Sequence, residues 1–146
     1  MPKEPFLAAV RELARCYQAF EAYSSAHIRT LGLTPPQFDI VATLGNTEGM
    51  TFKELGEKTL ITKGTLTGVV DRLAEKELVR RVASATDGRS QIVQLTVKGA
   101  ALFAKIFPEH IAHARRAFDS LDAAELETIR LGMARLRAAI EGARQP

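Results

Sequence analysis

The side chains best suited to recognising another molecule cluster in the middle third of the chain. Thr62-Lys63-Gly64-Thr65-Leu66-Thr67-Gly68 sets three hydroxyls, an ammonium and two glycines close together, and Arg72 follows one helical turn later. Arg80 and Arg81 come next, and then Asp87-Gly88-Arg89-Ser90. Hydroxyl, ammonium and guanidinium groups donate hydrogen bonds, which suits them to phosphate oxygens and the edges of bases. Charge follows the same segment. Of a formal net charge of +3, residues 1–50 contribute −1, residues 51–99 contribute +3 and residues 100–146 contribute +1. Between 78 and 98, Arg80, Arg81, Arg89 and Lys98 stand against Asp87 alone. A compact basic stretch in a mildly charged chain points to a polyanion, although a solvated basic face carries the same charge.

Other chemistry is thinly provided. Catalysis needs a nucleophile, a base and an oxyanion donor that converge. The chain has one cysteine, Cys16, and three histidines, His27, His110 and His113, in no motif that joins them. It is not expected to be an enzyme. Lys63-Gly64-Thr65 lacks the GxxxxGK[ST] spacing of a phosphate loop, so nucleotide binding is not expected either. Glu109-His110 and His113 can share a helix face, but scattered histidines are weak evidence of a metal site, and no metal or cofactor is expected. A lone cysteine rules out a disulfide scaffold. With 146 residues, 46% hydrophobic and 25% charged, the chain reads as a single soluble domain, 1–146. Its first residues form no apolar signal core. No uncharged run reaches ten residues, far short of a membrane helix. The expected location is the cytoplasm, with Cys16 reduced and no membrane partner.

The elements that must position these residues follow from spacing. Phe6, Val10, Leu13, Tyr17, Phe20, Ser24, His27 and Leu31 recur at alternating steps of four and three, predicting one long amphipathic helix ended by Gly32. Thr34 and Pro35 open a second helix through 38–44. Thr51 with Glu54 makes a capping box for a short third, 52–58, and Thr62 opens a fourth reaching about Lys76. Residues 79–83 and 91–95 are short and β-branched, and Asp87-Gly88 between them signals a hairpin. Thr96 caps a long helix with Phe103, Phe107, Ile111, Ala114 and Phe118 on one face, which Pro108 should kink or break. Asp122 opens the last, with Leu126, Ile129, Met133, Leu136 and Ile140 at three–four spacing. Both end helices must bury their stripes, against each other or against a second copy.

Residues 52–76 read as a helix-turn-helix. Its second helix should bury Leu66, Val69, Val70 and Leu73, leaving Gly64, Thr67, Gly68, Asp71 and Glu75 outward. A glycine on an exposed helix face costs about 0.8–1.0 kcal/mol relative to alanine. Something must offset that cost. Missing side chains let a backbone come very close to another surface, either a neighbouring helix or a DNA major groove. Thr62, Lys63, Thr65, Thr67 and Arg72 surround the smooth patch. Arg80, Arg81 and Arg89 extend it onto the hairpin, where arginine suits a narrow minor groove.

With these residues in view, the sequence strongly resembles the multiple-antibiotic-resistance regulator (MarR) family of winged helix-turn-helix transcription factors. The resemblance is carried by Leu33-Thr34-Pro35-Pro36-Gln37-Phe38, by Phe52-Lys53-Glu54-Leu55-Gly56 and by the run from Ile61 to Leu73. It continues through Leu78-Val79-Arg80-Arg81 and Leu95-Thr96-Val97-Lys98-Gly99. Asp87-Gly88-Arg89-Ser90 stands as the wing signature. The resemblance implies a mainly α fold with a small two-stranded antiparallel β-wing. Residues 34–98 would form the winged helix-turn-helix, and 4–31 with 100–146 the dimerisation helices. It further implies a homodimeric DNA-binding regulator, expected to be a repressor, on a pseudo-palindromic double-stranded operator. The DNA set is then Thr62, Lys63, Gly64, Thr65, Thr67, Gly68, Arg72, Arg80, Arg81, Asp87, Arg89 and Ser90.

Control is less legible. The resemblance implies release by a small, often aromatic or phenolic effector, with Tyr17, Tyr23, His27, Arg29 and Arg115 as loose pocket candidates. Peroxide sensors of this kind carry a reactive cysteine in the first helix. Cys16 lies about a turn too late for that role, and Phe38 stands where such sensors use tyrosine. Zinc-responsive members need a Glu-His where this chain has Phe38-Asp39. Peroxide sensing through Cys16 and a dimerisation adaptor that does not bind DNA remain the alternatives.

Overall fold

Reciprocal caps define several of the helix starts. Thr34 accepts from the Gln37 amide at 3.3 Å while the Gln37 side chain accepts from the Thr34 amide at 3.1 Å. Thr51 with Glu54 and Asp122 with Glu125 close the same kind of box. Each box satisfies amides that a first helical turn leaves without intrahelical partners. Thr96 accepts from the Gly99 amide at 3.0 Å. Thr62 behaves differently: its hydroxyl donates to the Thr65 hydroxyl at 3.1 Å, and its side chain makes no backbone cap.

A computed structural model describes residues 4–86 and 88–144. In chain order the elements are α1 (Pro5–Thr30), α2 (Pro35–Leu44), β1 (Met50–Thr51), α3 (Phe52–Lys58), α4 (Lys63–Glu75), β2 (Val79–Ala83), β3 (Gln91–Leu95), α5 (Val97–Arg116) and α6 (Ala123–Ala143). Contacts group them into one compact unit ending at Ile111 and a second beginning at Ala112.

In the first unit, α2 is the central helix, with Ile40, Val41 and Leu44 almost fully covered. Leu55 of α3 and Leu66, Val70 and Leu73 of α4 pack into the same core, joined by Val79 and Val93 of the strands. Val69 is only partly buried. Gly32, at φ +83°, ends α1 in a conformation that L side chains rarely adopt. Gly99 serves a close approach, since a Cβ there would collide with the Leu78 carbonyl.

The sheet is antiparallel with strand order β1-β3-β2, and Val79↔Leu95 through Ala83↔Gln91 pair in the wing. The expected ribbon of two strands therefore gains a third. Two residues are too few to show a strand period; β1 exists because Met50 and Thr51 pair with Val93 and Ile92, some forty residues on.

Helix α5 runs through Pro108 without a break. Ile106 and His110, on either side of it, are both buried, so packing holds the helix where local sequence favours a break. It stops at Arg116, which leaves Phe118 of the anticipated face in the following turn.

In the second unit α6 buries none of its residues. Leu126, Ile129, Met133 and Ile140 are exposed, and Glu127–Arg130 forms an ion pair at 2.6 Å on its surface. Helix α1 likewise exposes Phe6, Leu7, Val10 and Leu13. Among the described residues, no helix is long and apolar enough to cross a membrane.

Candidate nucleic-acid interface

Helix α4 sorts its residues by side as the spacing predicts. Leu66, Val70 and Leu73 face the core, while Thr62, Lys63, Gly64, Thr65, Thr67, Gly68, Asp71 and Arg72 are exposed. The two glycines have open space around them: a Cβ at Gly64 or Gly68 would meet nothing within 4 Å. Intramolecular packing therefore does not account for either. The result is a stretch of bare backbone flanked by hydroxyls, at the start of a helix with no side-chain cap on its first amides. The positive end of the helix dipole lies there, a setting suited to anionic oxygen.

The wing strands place the arginines unevenly. Arg80 donates through Nε to the Gln94 side chain at 3.1 Å and stays on the surface. Arg81 forms an ion pair with Asp71 of α4, and its guanidinium lies 5.5 Å from the centre of the Phe52 ring. It ties β2 to α3 and α4, a role the sequence reading did not anticipate. At the hairpin the Ser84 amide donates to the Ser90 carbonyl at 3.0 Å. Arg89 and Ser90 share the wall of an open cleft of about 570 Å³ with Lys53 of α3. Lys53 was missed because nothing local to it marks it out. Asp87, named among the DNA-binding candidates, lies outside the described residues.

A second concavity lies elsewhere in the same unit. Tyr17, Phe20, Ser24 and Ile28 of α1, Phe38 and Asp39 of α2, and Leu60 in the turn before α4 border a groove of about 260 Å³. Asp39 is half-buried, and that burial raises its carboxyl above the ordinary value; a hydrogen bond from the Leu60 amide at 3.2 Å works the other way. His110 is buried beside this region. Its Nδ1 is 3.0 Å from Nδ1 of His27, its Nε2 is 3.3 Å from the Ser24 hydroxyl, and its ring meets the edge of Phe38 at 4.6 Å.

The MarR family profile matches residues 31–90, which run from α2 through β2 to the hairpin turn. The HTH-type transcriptional regulator MhqR of Bacillus subtilis (strain 168) is 36% identical over 115 residues, 79% of each chain. The chain belongs to the MarR family. Crystallised AbsC, a MarR family transcriptional regulator from Streptomyces coelicolor, superposes with a TM-score of 0.85 at 24% identity, covering 97% of this chain and 98% of that one. BpsR of Bordetella bronchiseptica, whose DNA binding is regulated by 6-hydroxynicotinic acid, gives 0.81 at 25% identity, with 94% and 98% covered. MhqR and AbsC are both transcriptional regulators.

Within this MarR chain the anticipated pocket residues scatter. Of the five, Tyr17 borders the groove. His27 faces His110, Arg29 is exposed in the last turn of α1, and Tyr23 is half-buried on the same helix. Arg115 belongs to the second unit. Phe20, Ser24, Asp39 and Leu60 line that groove beside Tyr17, brought together by helix packing that no local pattern encodes. Cys16 is exposed on α1. Among the described residues no cluster of three or more His, Cys, Asp or Glu could hold a metal ion.

Proposed function

We propose that this protein is a cytoplasmic transcriptional repressor that binds a pseudo-palindromic DNA operator as a homodimer and is released by a small aromatic effector. The observation that carries the reading is the bare backbone at Gly64 and Gly68, open to solvent and flanked by Thr62, Lys63, Thr65, Thr67 and Arg72. Such a face lets α4 sit deep in a major groove, its threonines within reach of base edges. Arg80, Arg89 and Ser90, with Asp87, are assigned to the wing contact, Arg89 entering the minor groove. Arg81 supports that contact through Asp71. The exposed stripes of α1 and α6 supply apolar surface for self-association, and the groove beside Tyr17 and Asp39 supplies an effector site. BpsR, with its 6-hydroxynicotinic acid, provides a related precedent for such control.

The test is selection of fragments from the source genome by the purified protein. Enrichment of one inverted-repeat sequence, with half-sites centred about 34–36 Å apart, is the expected result. Retention of fragments without sequence preference would overturn the reading.

A further inference from the structure

The groove between α1, α2 and the turn before α4 has a charge pattern that restricts its occupant. Rings of Tyr17, Phe20 and Phe38 form part of its wall, and its charged lining residues are Glu21 and Asp39. Among the described residues no lysine or arginine lines it. One Asp39 carboxylate oxygen accepts from the Leu60 amide, and the other has no hydrogen-bond partner among the described residues. Glu21 likewise has no ion-pair partner among them. Two uncompensated carboxylates therefore stand beside three aromatic rings.

A carboxylate ligand would add a third negative charge where no lining lysine or arginine offsets it. A cation gains from both carboxylates and from the neighbouring aromatic rings. It would also relieve the desolvation that holds the Asp39 carboxyl above its ordinary value.

We propose that this groove takes a small aromatic organic cation, such as a benzylic quaternary ammonium, as its effector. A volume of about 260 Å³ lies near the small end of ligand pockets, which suits one ring and a compact head group. The proposal rests on the reading of the protein as an effector-released regulator and makes its chemistry specific.

The same contact gives the signal a route. Leu60 lies two residues before Thr62, the residue that opens α4. A cation seated at the other Asp39 oxygen draws the carboxylate away from the Leu60 amide, and loosening that bond frees the entry to α4.

The experiment titrates benzyltrimethylammonium into the full-length protein by calorimetry, with salicylate and phenol as comparison probes. Wild type, Asp39→Asn and Glu21→Gln are measured, and a thermal melt checks that each folds. The wild type should bind the cation more tightly than either comparison probe. Asp39→Asn should weaken cation binding about tenfold, the scale of losing one opposite charge at a half-buried contact. Glu21→Gln, on the exposed rim, should weaken it less and keeps the test decisive if Asp39→Asn does not fold. Absent cation binding, equal binding by both variants and wild type, or tighter binding of salicylate or phenol overturns the proposal.

A second arm measures affinity for the selected DNA fragment with and without the cation. Cation binding that leaves DNA affinity unchanged overturns the Leu60 route. A protein that binds its fragment but not the cation refutes the effector chemistry alone. One that binds the cation but no specific fragment refutes the regulator reading instead.

Discussion

Gly68 shows how one missing side chain can trade stability for access. It lies in the interior of α4 with nothing within 4 Å of where a Cβ would stand. Gly68→Ala should therefore stabilise the fold by about 0.5–1 kcal/mol, the helix-propensity difference, in a chemical denaturation series. Gly68→Leu should keep the fold and lower operator affinity at least tenfold, because its branch occupies the space the groove floor needs. Wild-type affinity in Gly68→Leu would mean that α4 does not enter a groove by this face. Asp39 gives the opposite case, a side chain retained at a cost. Burial raises its carboxyl above the ordinary value, so the fold prefers the protonated form. Stability from this group is greatest below the ordinary value, falls as pH rises through the window up to the raised value, and is constant above it. Asn keeps an acceptor for the Leu60 amide without the charge. Asp39→Asn should therefore melt higher than wild type near pH 7, and that advantage should shrink in melts taken down to about pH 3.5. A pH-independent difference would contradict the burial argument.

At the scale of elements, the wing is held to the helix-turn-helix by Arg81, through Asp71 on one side and the Phe52 ring on the other. Exposed ion pairs and cation–π contacts are each worth roughly 1 kcal/mol or less. Arg81→Ala should thus cost about 0.5–1.5 kcal/mol in stability. Its effect on DNA binding separates two roles. If Arg81 positions the wing, Asp71→Asn should also weaken operator binding, although it removes a negative charge from the DNA-facing side. If Arg81 instead contacts phosphate, Asp71→Asn should strengthen binding and Arg81→Ala should flatten the salt dependence by about one unit of slope. Fluorescence anisotropy across a salt series distinguishes them, and the structure favours positioning.

For the whole molecule, the exposed apolar residues on α1 and α6 are the feature that one chain leaves unresolved energetically. Val10 and Leu13 are about half exposed, as are Ile129 and Met133. Apolar side chains exposed along a helix mark an interaction site. Leu13→Glu and Ile129→Glu should each shift the protein toward monomer in sedimentation equilibrium and reduce operator affinity in parallel, because two half-sites need two recognition helices on one dyad. A monomeric variant with undiminished affinity would refute the dimeric reading.

What the sequence determined by itself is whatever closes over a few residues. The boxes at Thr34, Thr51 and Asp122 join partners three apart, so local residue type and spacing located those helix starts. The buried face of α4, its glycine-bearing outer face and the pairing of β2 with β3 were legible for the same reason. Tertiary structure decided the rest. Strand β1 depends on partners about forty residues away, and α5 crosses Pro108 because buried neighbours hold it. Asp71 and Arg81 are ten residues apart and meet only once α4 and β2 pack. Asp39 and Leu60, twenty-one apart, meet only when α2 lies under the turn before α4. Backbone hydrogen bonding and helix periodicity act over one or two turns and can be read along the chain. A groove exists only where separate helices leave space between them, and that space depends on how whole elements pack.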